Sequence, residues 1–421
     1  MYALYNVLLF LLAPIWVPWM KRRANRRDEP VNELERRGIL DLPPKARPRL
    51  WLHTVSVGET VAARPILRAI RALRPDLEII VSVTTSSGHK TAREGPEGLF
   101  DHLVYFPIDL PWMTRRAMRS AAPDVLAIME TELWPNAIRE AKRAGAKTFI
   151  LNARLSDRSF PRAKKACALY AAVLGFVDLV GTQSETDTAR FRELGALRVA
   201  TLGNCKFDEA AGLVSDRGHW RAEFGLDGRL AVLVGSLRAE EFVAVGEQLR
   251  ALAAEGIPIV VGPRHLERTD ELDAALGGGL PRRSRGEEIG PANILLFDTY
   301  GELADAYAAA DVAVVGGGFA RLGGQNIIQP LAHGIPTVHG RHMQNFRDVS
   351  SLATGAGASR IAWVEGLESE PAGDAASLSE AIRELLRNPE RRAEMGRAAQ
   401  ALVQDNLGAS ERYAREIDAR S

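Results

Sequence analysis

Acidic, basic and hydroxyl side chains stand directly after apolar runs at several places in this sequence, where they could bind or transform a ligand. In the stretch Trp51-Leu-His-Thr-Val-Ser-Val-Gly-Glu59, the run Leu50–Val55 predicts a buried strand followed by a helix. Glu59 would then lie at the carboxyl end of a strand, where open α/β sheets bind their ligands. Gly58 leaves the backbone accessible, and Ser56 adds a hydroxyl at the same place. Glu59 therefore either acts on a ligand or complements the dipole of the helix that follows.

A second group of charged residues follows another predicted strand. Glu130 and Glu132 come after the run Asp124–Met129, and strand alternation could place both carboxylates on one face. Each would raise the pKa of the other unless a cation lies near, although Glu132 in particular could instead cap the next helix. Lys206 stands among apolar and turn residues, where it is either solvated or bound to a phosphate or a carboxylate.

In the second half of the chain, a predicted strand runs directly into Gly262-Pro263-Arg264-His265. Pro263 fixes the turn, so Arg264 would be presented rigidly, and its guanidinium fork suits a phosphate group. The stretch Asp298-Thr-Tyr300-Gly301-Glu302 should begin a helix whose first amides could bind an oxygen-rich ligand.

Glycine-rich turns occur in the same half, at Gly316-Gly-Gly318 and at Gly323-Gly-Gln-Asn326-Ile327-Ile328-Gln329. Neither turn matches the GxGxxG pattern of dinucleotide-binding folds or the GxxxxGK[ST] pattern of the P-loop. The turns therefore indicate ligand binding at strand ends without identifying a familiar nucleotide motif.

Predicted strands and helices alternate along two successive stretches of the chain, which is typical of parallel βαβ units. The pattern favours an α/β fold with two Rossmann-like domains and a cleft between them, the GT-B arrangement. We expect the first domain over residues 28–208, a linker over 209–229 and the second domain over 230–421, closed by helices at its C-terminal end.

The first twenty residues, Met1–Met20, are mostly apolar and uncharged, and Lys21, Arg22, Arg23, Arg26 and Arg27 follow them. Such a segment can just span a bilayer as a helix, with its positive flank in the cytoplasm. Pro14 and Pro18 favour an alternative in which the helix dips into one leaflet. In both cases residues 1–27 are predicted to be a membrane anchor.

The composition gives further information about possible partners and metal sites. The chain has 54 Lys and Arg against 53 Asp and Glu, so its net charge of +1 gives no indication of a nucleic-acid partner. Its 46% hydrophobic and 25% charged residues are typical of a globular protein. Cys167 and Cys205 form no zinc-binding pattern, and we expect neither a disulfide nor a metal.

Taken in order, several motifs resemble the 3-deoxy-D-manno-octulosonic acid (Kdo) transferases of lipopolysaccharide synthesis. They are His53-Thr-Val-Ser-Val-Gly-Glu59, Met129-Glu-Thr-Glu-Leu-Trp-Pro-Asn136, Leu151-Asn-Ala-Arg-Leu-Ser156, Gly203-Asn-Cys-Lys-Phe-Asp208, Pro263-Arg-His265 and Gly323-Gly-Gln-Asn326. The resemblance implies inverting, metal-independent transfer of Kdo from CMP-Kdo to the lipid A precursor lipid IVA, without a cofactor. It also implies a location at the cytoplasmic face of the inner membrane.

The resemblance assigns roles to individual residues. Glu59 matches the family's general base, and Glu130 and Lys206 match its two transition-state stabilisers. The segments that hold CMP correspond to Pro263, Arg264, Tyr300, Gly301, Glu302, Asn326, Ile327, Ile328 and Gln329.

The last of these segments departs from the family's usual Gly-Gly-His-Asn-Pro-Leu-Glu. An amide at Gln329 can still accept a hydrogen bond from a ribose hydroxyl, but the stronger bond to a charged carboxylate is lost. A GT-B enzyme that uses another nucleotide sugar, or a non-catalytic membrane-attached binding protein, is therefore the alternative prediction.

Overall fold

The computed structural model describes residues 1–12, 14, 32–213, 215–226, 228–367 and 376–420. The chain forms two compact units, the first from Met1–Glu209 together with Leu407–Ser421 and the second from Ala210–Asn406. Within the described ranges, a parallel sheet of seven strands organises the first unit and one of six strands organises the second. The predicted α/β fold with two Rossmann-like domains is confirmed.

The strands of the first unit have the spatial order β3-β2-β1-β4-β5-β6-β7. They are β1 Arg49–Thr54, β2 Glu78–Val83, β3 His102–Tyr105, β4 Val125–Met129, β5 Lys147–Ala153, β6 Leu179–Thr182 and β7 Val199–Thr201. The second sheet has the order β10-β9-β8-β11-β12-β13. Its strands are β8 Val232–Leu237, β9 Ile259–Pro263, β10 Ile294–Leu296, β11 Val312–Val315, β12 Thr337–His339 and β13 Ser359–Ile361.

Helices connect and cover the strands. They are α1 (residues 2–12), α2 Glu33–Arg36, α3 Val57–Leu73, α4 Ser86–Arg93, α5 Pro111–Ala121, α6 Pro135–Arg143, α7 Phe160–Lys165, α8 Cys167–Leu174, α9 Glu185–Glu193, α10 Lys206–Ala211, α11 Arg217–Glu223, α12 Phe242–Ala254, α13 Thr269–Ala275, α14 Leu303–Ala306, α15 Ile328–Ala332, α16 Arg347–Gly355, α17 Leu378–Arg387, α18 Pro389–Asp405 and α19 Ala409–Asp418. Short 3₁₀ turns lie at Ala239–Glu241, Leu266–Arg268, Arg283–Arg285 and Tyr307–Ala309.

Strand β1 shows how the first sheet is held between two apolar layers. Leu50 and Leu52 pack in the cluster on one face, and Trp51 packs in the cluster on the other face. This alternation follows from the two-residue period of a strand, and burial on both faces explains why the strand reads as a continuous apolar run. Because β1, β4 and β5 are neighbours, the residues that follow their carboxyl ends lie at one edge of the sheet.

The last helix belongs to a different unit than the one we predicted, since the predicted boundaries assigned residues 230–421 to the second domain. Helix α19 belongs to the first unit, where Tyr413 and Ile417 pack in the same apolar cluster as Ile66 of α3. The spacing of its apolar residues indicated a helix with one buried face, but such spacing does not specify which sheet that face covers.

At the N-terminus, α1 packs on the first unit through polar and aromatic contacts. The Tyr5 hydroxyl donates to Oδ2 of Asp109 at 2.9 Å, and Nδ2 of Asn136 donates to Oδ1 of Asn6 at 2.7 Å. No helix in the described ranges is both long enough and apolar enough to cross a membrane. The basic flank predicted over residues 21–27 lies outside the described residues.

Candidate active site

Glu59 lies in the first turn of α3, directly beyond the carboxyl end of β1, as predicted. Its carboxylate accepts hydrogen bonds from the Val55 amide at 2.8 Å and from the Ser56 hydroxyl at 3.1 Å. Burial, and then the negative charge of Glu130, raise the pKa of Glu59 from 4.5 to about 7, although those two hydrogen bonds lower it. A carboxylate that only complemented a helix dipole would have its pKa lowered. Burial outweighs that effect at Glu59, and a pKa near 7 suits a group that takes up a proton at neutral pH.

His53, the histidine of the same stretch, has a different environment. Its ring is fully buried, stacks on Phe106 with ring centroids 3.7 Å apart, and hydrogen-bonds through Nδ1 to Ser82. Burial lowers the pKa of His53 to about 3, so the ring stays neutral. We conclude that His53 is a core residue and that Glu59 is the titrating group of this stretch.

Glu130 follows β4 and is a buried carboxylate held by two cations. Lys206 Nζ lies 2.6 Å from Oε1, and Arg154 Nε lies 3.2 Å from Oε2. Burial by itself would raise the pKa of Glu130, but the charges of Lys206 and Arg154 outweigh it and lower the pKa to about 2. Glu130 is therefore ionised at all physiological pH values, and the carboxylate partner predicted for Lys206 is Glu130.

The predicted interaction between Glu130 and Glu132 is present in part. Burial and the charge of Glu130 raise the pKa of Glu132. The alternative in which Glu132 caps the next helix is wrong, because Asp109 accepts the hydrogen bonds of the Asn136 and Ala137 amides at the start of α6. Asp109 lies after a different strand, so the local sequence around α6 does not show that this residue caps the helix.

In the second unit, Pro263 ends β9 and Arg264 follows it, as predicted. The Arg264 amide donates to the Leu237 carbonyl at 2.7 Å, which fixes the backbone at this point. Its side chain is exposed and forms no hydrogen bond or ion pair with another described residue. The guanidinium is therefore free to bind a ligand.

The stretch Tyr300–Glu302 follows β10. Tyr300 is 72% exposed, and Gly301 has a left-handed backbone with φ of 85°, which disfavours a side chain. Oε2 of Glu302 accepts a hydrogen bond from the Thr299 hydroxyl at 2.6 Å. The Tyr300 ring, the backbone at Gly301 and part of the Glu302 side chain, which is 38% exposed, are thus the accessible parts of this stretch.

The turn at Asn326–Gln329 has both buried and accessible side chains. Ile327 and Ile328 are fully buried as whole residues, so the structure exposes neither of them to a ligand. Oδ1 of Asn326 accepts the Ile328 amide at 3.0 Å, and Gln329 is partly exposed. Of the side chains in this predicted CMP segment, those of Asn326 and Gln329 remain accessible.

The glycine-rich turn after β11 is organised by a carboxylate that the sequence did not indicate. Glu241 is fully buried and accepts hydrogen bonds from the amides of Gly317 at 2.7 Å and Phe319 at 3.0 Å. Because these amides are bonded within the chain, the turn cannot offer them to a phosphate group. Within the described part of the chain, no group of three or more His, Cys, Asp or Glu side chains could hold a metal ion.

Comparison with known proteins identifies the family. A sequence profile described as 3-Deoxy-D-manno-octulosonic-acid transferase (kdotransferase) matches residues 32–209. The 3-deoxy-D-manno-octulosonic acid transferase of Bordetella pertussis is 36% identical over 434 residues, which cover 97% of this chain and 97% of that protein. The chain belongs to the Kdo transferase family. A Haemophilus influenzae member is 29% identical over 88% of this chain and 86% of its own.

The fold is shared more widely than this family. The crystal structure of a glycosyltransferase from Rickettsia africae has a TM-score of 0.60 and 11% sequence identity, covering 89% of this chain and 98% of its own. A UDP-N-acetylglucosamine 2-epimerase from Listeria monocytogenes has a TM-score of 0.62 and 14% identity, with coverage of 89% and 95%. These similarities show a GT-B-like fold for this Kdo transferase family member.

Arg154 is the residue of this family member's site that the sequence analysis did not select. It lies just beyond β5, and β5 is the neighbour of β4, so Arg154 reaches the carboxylate of Glu130. Glu130 and Asn152 both have left-handed backbones, with φ of 58° and 54°. Such conformations are uncommon for non-glycine residues and cluster at functional sites. The sequence feature that could have identified Arg154 is its position as a basic residue directly after a strand.

Proposed function

We propose that this protein transfers Kdo from CMP-Kdo to a hydroxyl group of the lipid A precursor lipid IVA, with inversion at the anomeric carbon. The main support is the environment of Glu59, a carboxylate with a pKa of about 7 beside the ion-paired Glu130 and Lys206. Membership of the Kdo transferase family supports the donor and the class of acceptor.

In the proposed reaction, Glu59 takes the proton of the acceptor hydroxyl as its oxygen attacks the anomeric carbon of the donor. The bond between that carbon and the phosphate oxygen of CMP breaks, and its electron pair leaves with CMP. The attack comes from the face opposite the leaving group, so the configuration inverts. A general base works best when its pKa lies near the operating pH, which the pKa of about 7 satisfies.

Glu130 has a supporting role in this proposal. It remains ionised because its pKa is about 2, and it holds the charged ends of Lys206 and Arg154 at fixed positions. Fixed cations stabilise negative charge that develops during a reaction, because they need no reorganisation at that moment. Lys206 would stabilise the departing CMP or the carboxylate of the donor sugar.

Arg264 is the residue proposed to bind the phosphate of CMP. Replacing it with alanine should weaken CMP binding by about 1.5–3 kcal/mol, the usual contribution of a charged hydrogen bond. Calorimetric titration with CMP measures this effect. Arg391→Ala is the control, because Arg391 pairs with Glu394 on α18 and should leave the affinity unchanged. Unchanged CMP affinity in Arg264→Ala would show that Arg264 does not contact the nucleotide.

A test of donor specificity distinguishes this proposal from its alternative, a GT-B transferase that uses another nucleotide sugar. Purified protein should release CMP from CMP-Kdo in the presence of lipid IVA and should not turn over UDP- or GDP-sugars. Mass spectrometry of the product should show lipid IVA with added Kdo. Turnover of a UDP- or GDP-sugar would favour the alternative, and no turnover with any donor would favour a binding protein.

We further propose that α1 attaches the protein to the cytoplasmic face of the inner membrane. While Tyr5 and Asn6 bind the first unit, a set of apolar side chains on α1 is between 49% and 69% exposed: Leu4, Val7, Leu8, Phe10, Leu11 and Leu12. Exposed apolar surface of this extent is typical of a membrane contact. The arginines that follow α1 in sequence would bind anionic headgroups on the cytoplasmic side.

Substituting Leu4, Leu8 and Leu11 by glutamine should lower vesicle binding at least ~100-fold, since burying each leucine contributes about 1.5–3 kcal/mol. CMP affinity should not change. Sedimentation with vesicles that contain anionic lipid measures the binding. Tyr5→Phe, which loses the hydrogen bond to Asp109 but keeps the apolar surface, should bind vesicles like the wild type. Equal sedimentation of the triple variant would contradict the anchor proposal.

A further inference from the structure

The segment that carries Lys206 is fastened to the last helix of the chain. Asp208, two residues after Lys206, accepts hydrogen bonds from the Gly408 amide through Oδ1 and from the Ser410 amide through Oδ2, both at 2.7 Å. The carboxylate therefore satisfies free amides at the start of α19. This contact joins two parts of the sequence that are about two hundred residues apart.

Tyr413 of α19 makes a second connection to the same segment. Its side chain is fully buried, and its hydroxyl donates to the Gly203 carbonyl at 2.9 Å. A Cβ atom at Gly181 would stand 2.6 Å from Cε1 of Tyr413, so the ring packs directly on the backbone of β6. Nε of Arg412 donates to the Leu202 carbonyl at 2.8 Å and adds a third contact.

Two asparagine side chains fix the backbone next to Lys206, one from the end of β5 and one from the segment itself. Oδ1 of Asn152 accepts the Cys205 amide at 3.2 Å, and Oδ1 of Asn204 accepts the Lys206 amide at 3.1 Å. The backbone before Lys206 is thus held by side-chain bonds, while Asp208 and Tyr413 hold the segment to α19. Beyond this backbone, the lysine side chain is 14% exposed, and its ammonium group lies 2.6 Å from Oε1 of Glu130.

We propose that Asp208 and Tyr413 are positioning residues for Lys206, so that α19 sets where the ammonium group lies relative to Glu130. The proposal rests on the role proposed for Lys206 above. A lysine has a long stem with many rotamers, so its charge is placed precisely only if the backbone and the far end are both fixed. Displacement of a reacting or stabilising group by about 1 Å can slow turnover about 10²-fold, even when the displaced contact lies away from the chemistry.

Asp208→Asn and Tyr413→Phe test this proposal, the second removing only one hydroxyl group. Each should lower kcat roughly 10- to 100-fold and leave the affinity for CMP unchanged, because the donor contacts proposed for CMP lie in the second unit. Glu411→Gln is the matched control on α19, since the exposed side chain of Glu411 pairs with Arg415 on the surface. It should leave kcat unchanged.

A double-mutant cycle with Lys206→Met separates positioning from a general loss of structure. If Asp208 and Tyr413 act through Lys206, neither substitution should slow the Lys206→Met enzyme further. Substitutions that slow it by the same factor as they slow the wild type would overturn the positioning proposal, as would an unchanged kcat in both single variants. If Lys206→Met itself had normal kcat, the catalytic role of Lys206 would be wrong, and the positioning proposal with it.

Discussion

Replacing Glu59 with glutamine should slow turnover roughly 10²–10⁴-fold, the usual contribution of general base catalysis. Glutamine has nearly the same size and can still accept the Val55 amide, but it cannot take a proton from the acceptor. CMP release from CMP-Kdo in the presence of lipid IVA measures the effect. Glu185→Gln is the control, because Glu185 also lies in the first turn of a helix that follows a strand, and it is exposed. Its turnover should be normal.

Glu59→Gln should also change how the stability of the protein depends on pH. The pKa of Glu59 is raised from 4.5 to about 7 in the folded protein, so the folded state binds the proton more tightly than the unfolded state does. Ionisation of Glu59 therefore opposes folding as the pH rises from about 4.5 to about 7. Glu59→Gln removes this loss, and its melting temperature should match that of the wild type at pH ~4 and exceed it at pH ~8.5. A carboxylate that only complemented the helix dipole would give the opposite sign, a loss of about 0.3–1 kcal/mol in the variant.

Replacing Lys206 with methionine should lower kcat roughly 10²–10³-fold, the effect of removing one fixed electrostatic stabiliser of a transition state. Methionine fills similar space but has no charge, and Glu130 keeps Arg154 as its remaining cation. Single-turnover measurement of CMP release separates this step from product release.

Lys164→Met is the control for that experiment. Lys164 also pairs with a glutamate, Glu193, but both side chains are about half exposed. An exposed pair of this kind contributes little to stability and none to the proposed chemistry. Turnover within a few-fold of the wild type in Lys206→Met would show that the ion pair with Glu130 is structural.

The parts of the fold that were predicted correctly are those in which a strand is buried on both faces. Strands β1, β4 and β11 read as continuous apolar runs because parallel sheets are covered by helices on both sides. The edge strands β7 and β13 were missed, since they are three residues long and partly exposed. Helix α19 was recognised from its apolar spacing, but the unit that it covers depends on contacts with residues far away in the sequence.

The arrangement of the candidate site followed from the sequence only in part. Glu59, Glu130 and Lys206 were identified from their places after strands and from the resemblance to a family. Their chemistry was not, because the raised pKa of Glu59 and the lowered pKa of Glu130 depend on burial and on which strands are neighbours. Arg154 was missed for the same reason. Ile327 and Ile328 were assigned to a ligand segment, whereas both residues are fully buried.

The pH dependence of kcat/KM for CMP release tests the role of Glu59 most directly, because this quantity reports the pKa of the free enzyme's base. We expect the wild type to lose activity at acid pH with an apparent pKa of about 7, and Glu59→Gln to lack this dependence in its residual activity. An acid limb near the ordinary carboxyl pKa of 4.5, or a limb near 7 that persists in Glu59→Gln, would contradict the assignment of Glu59 as the general base.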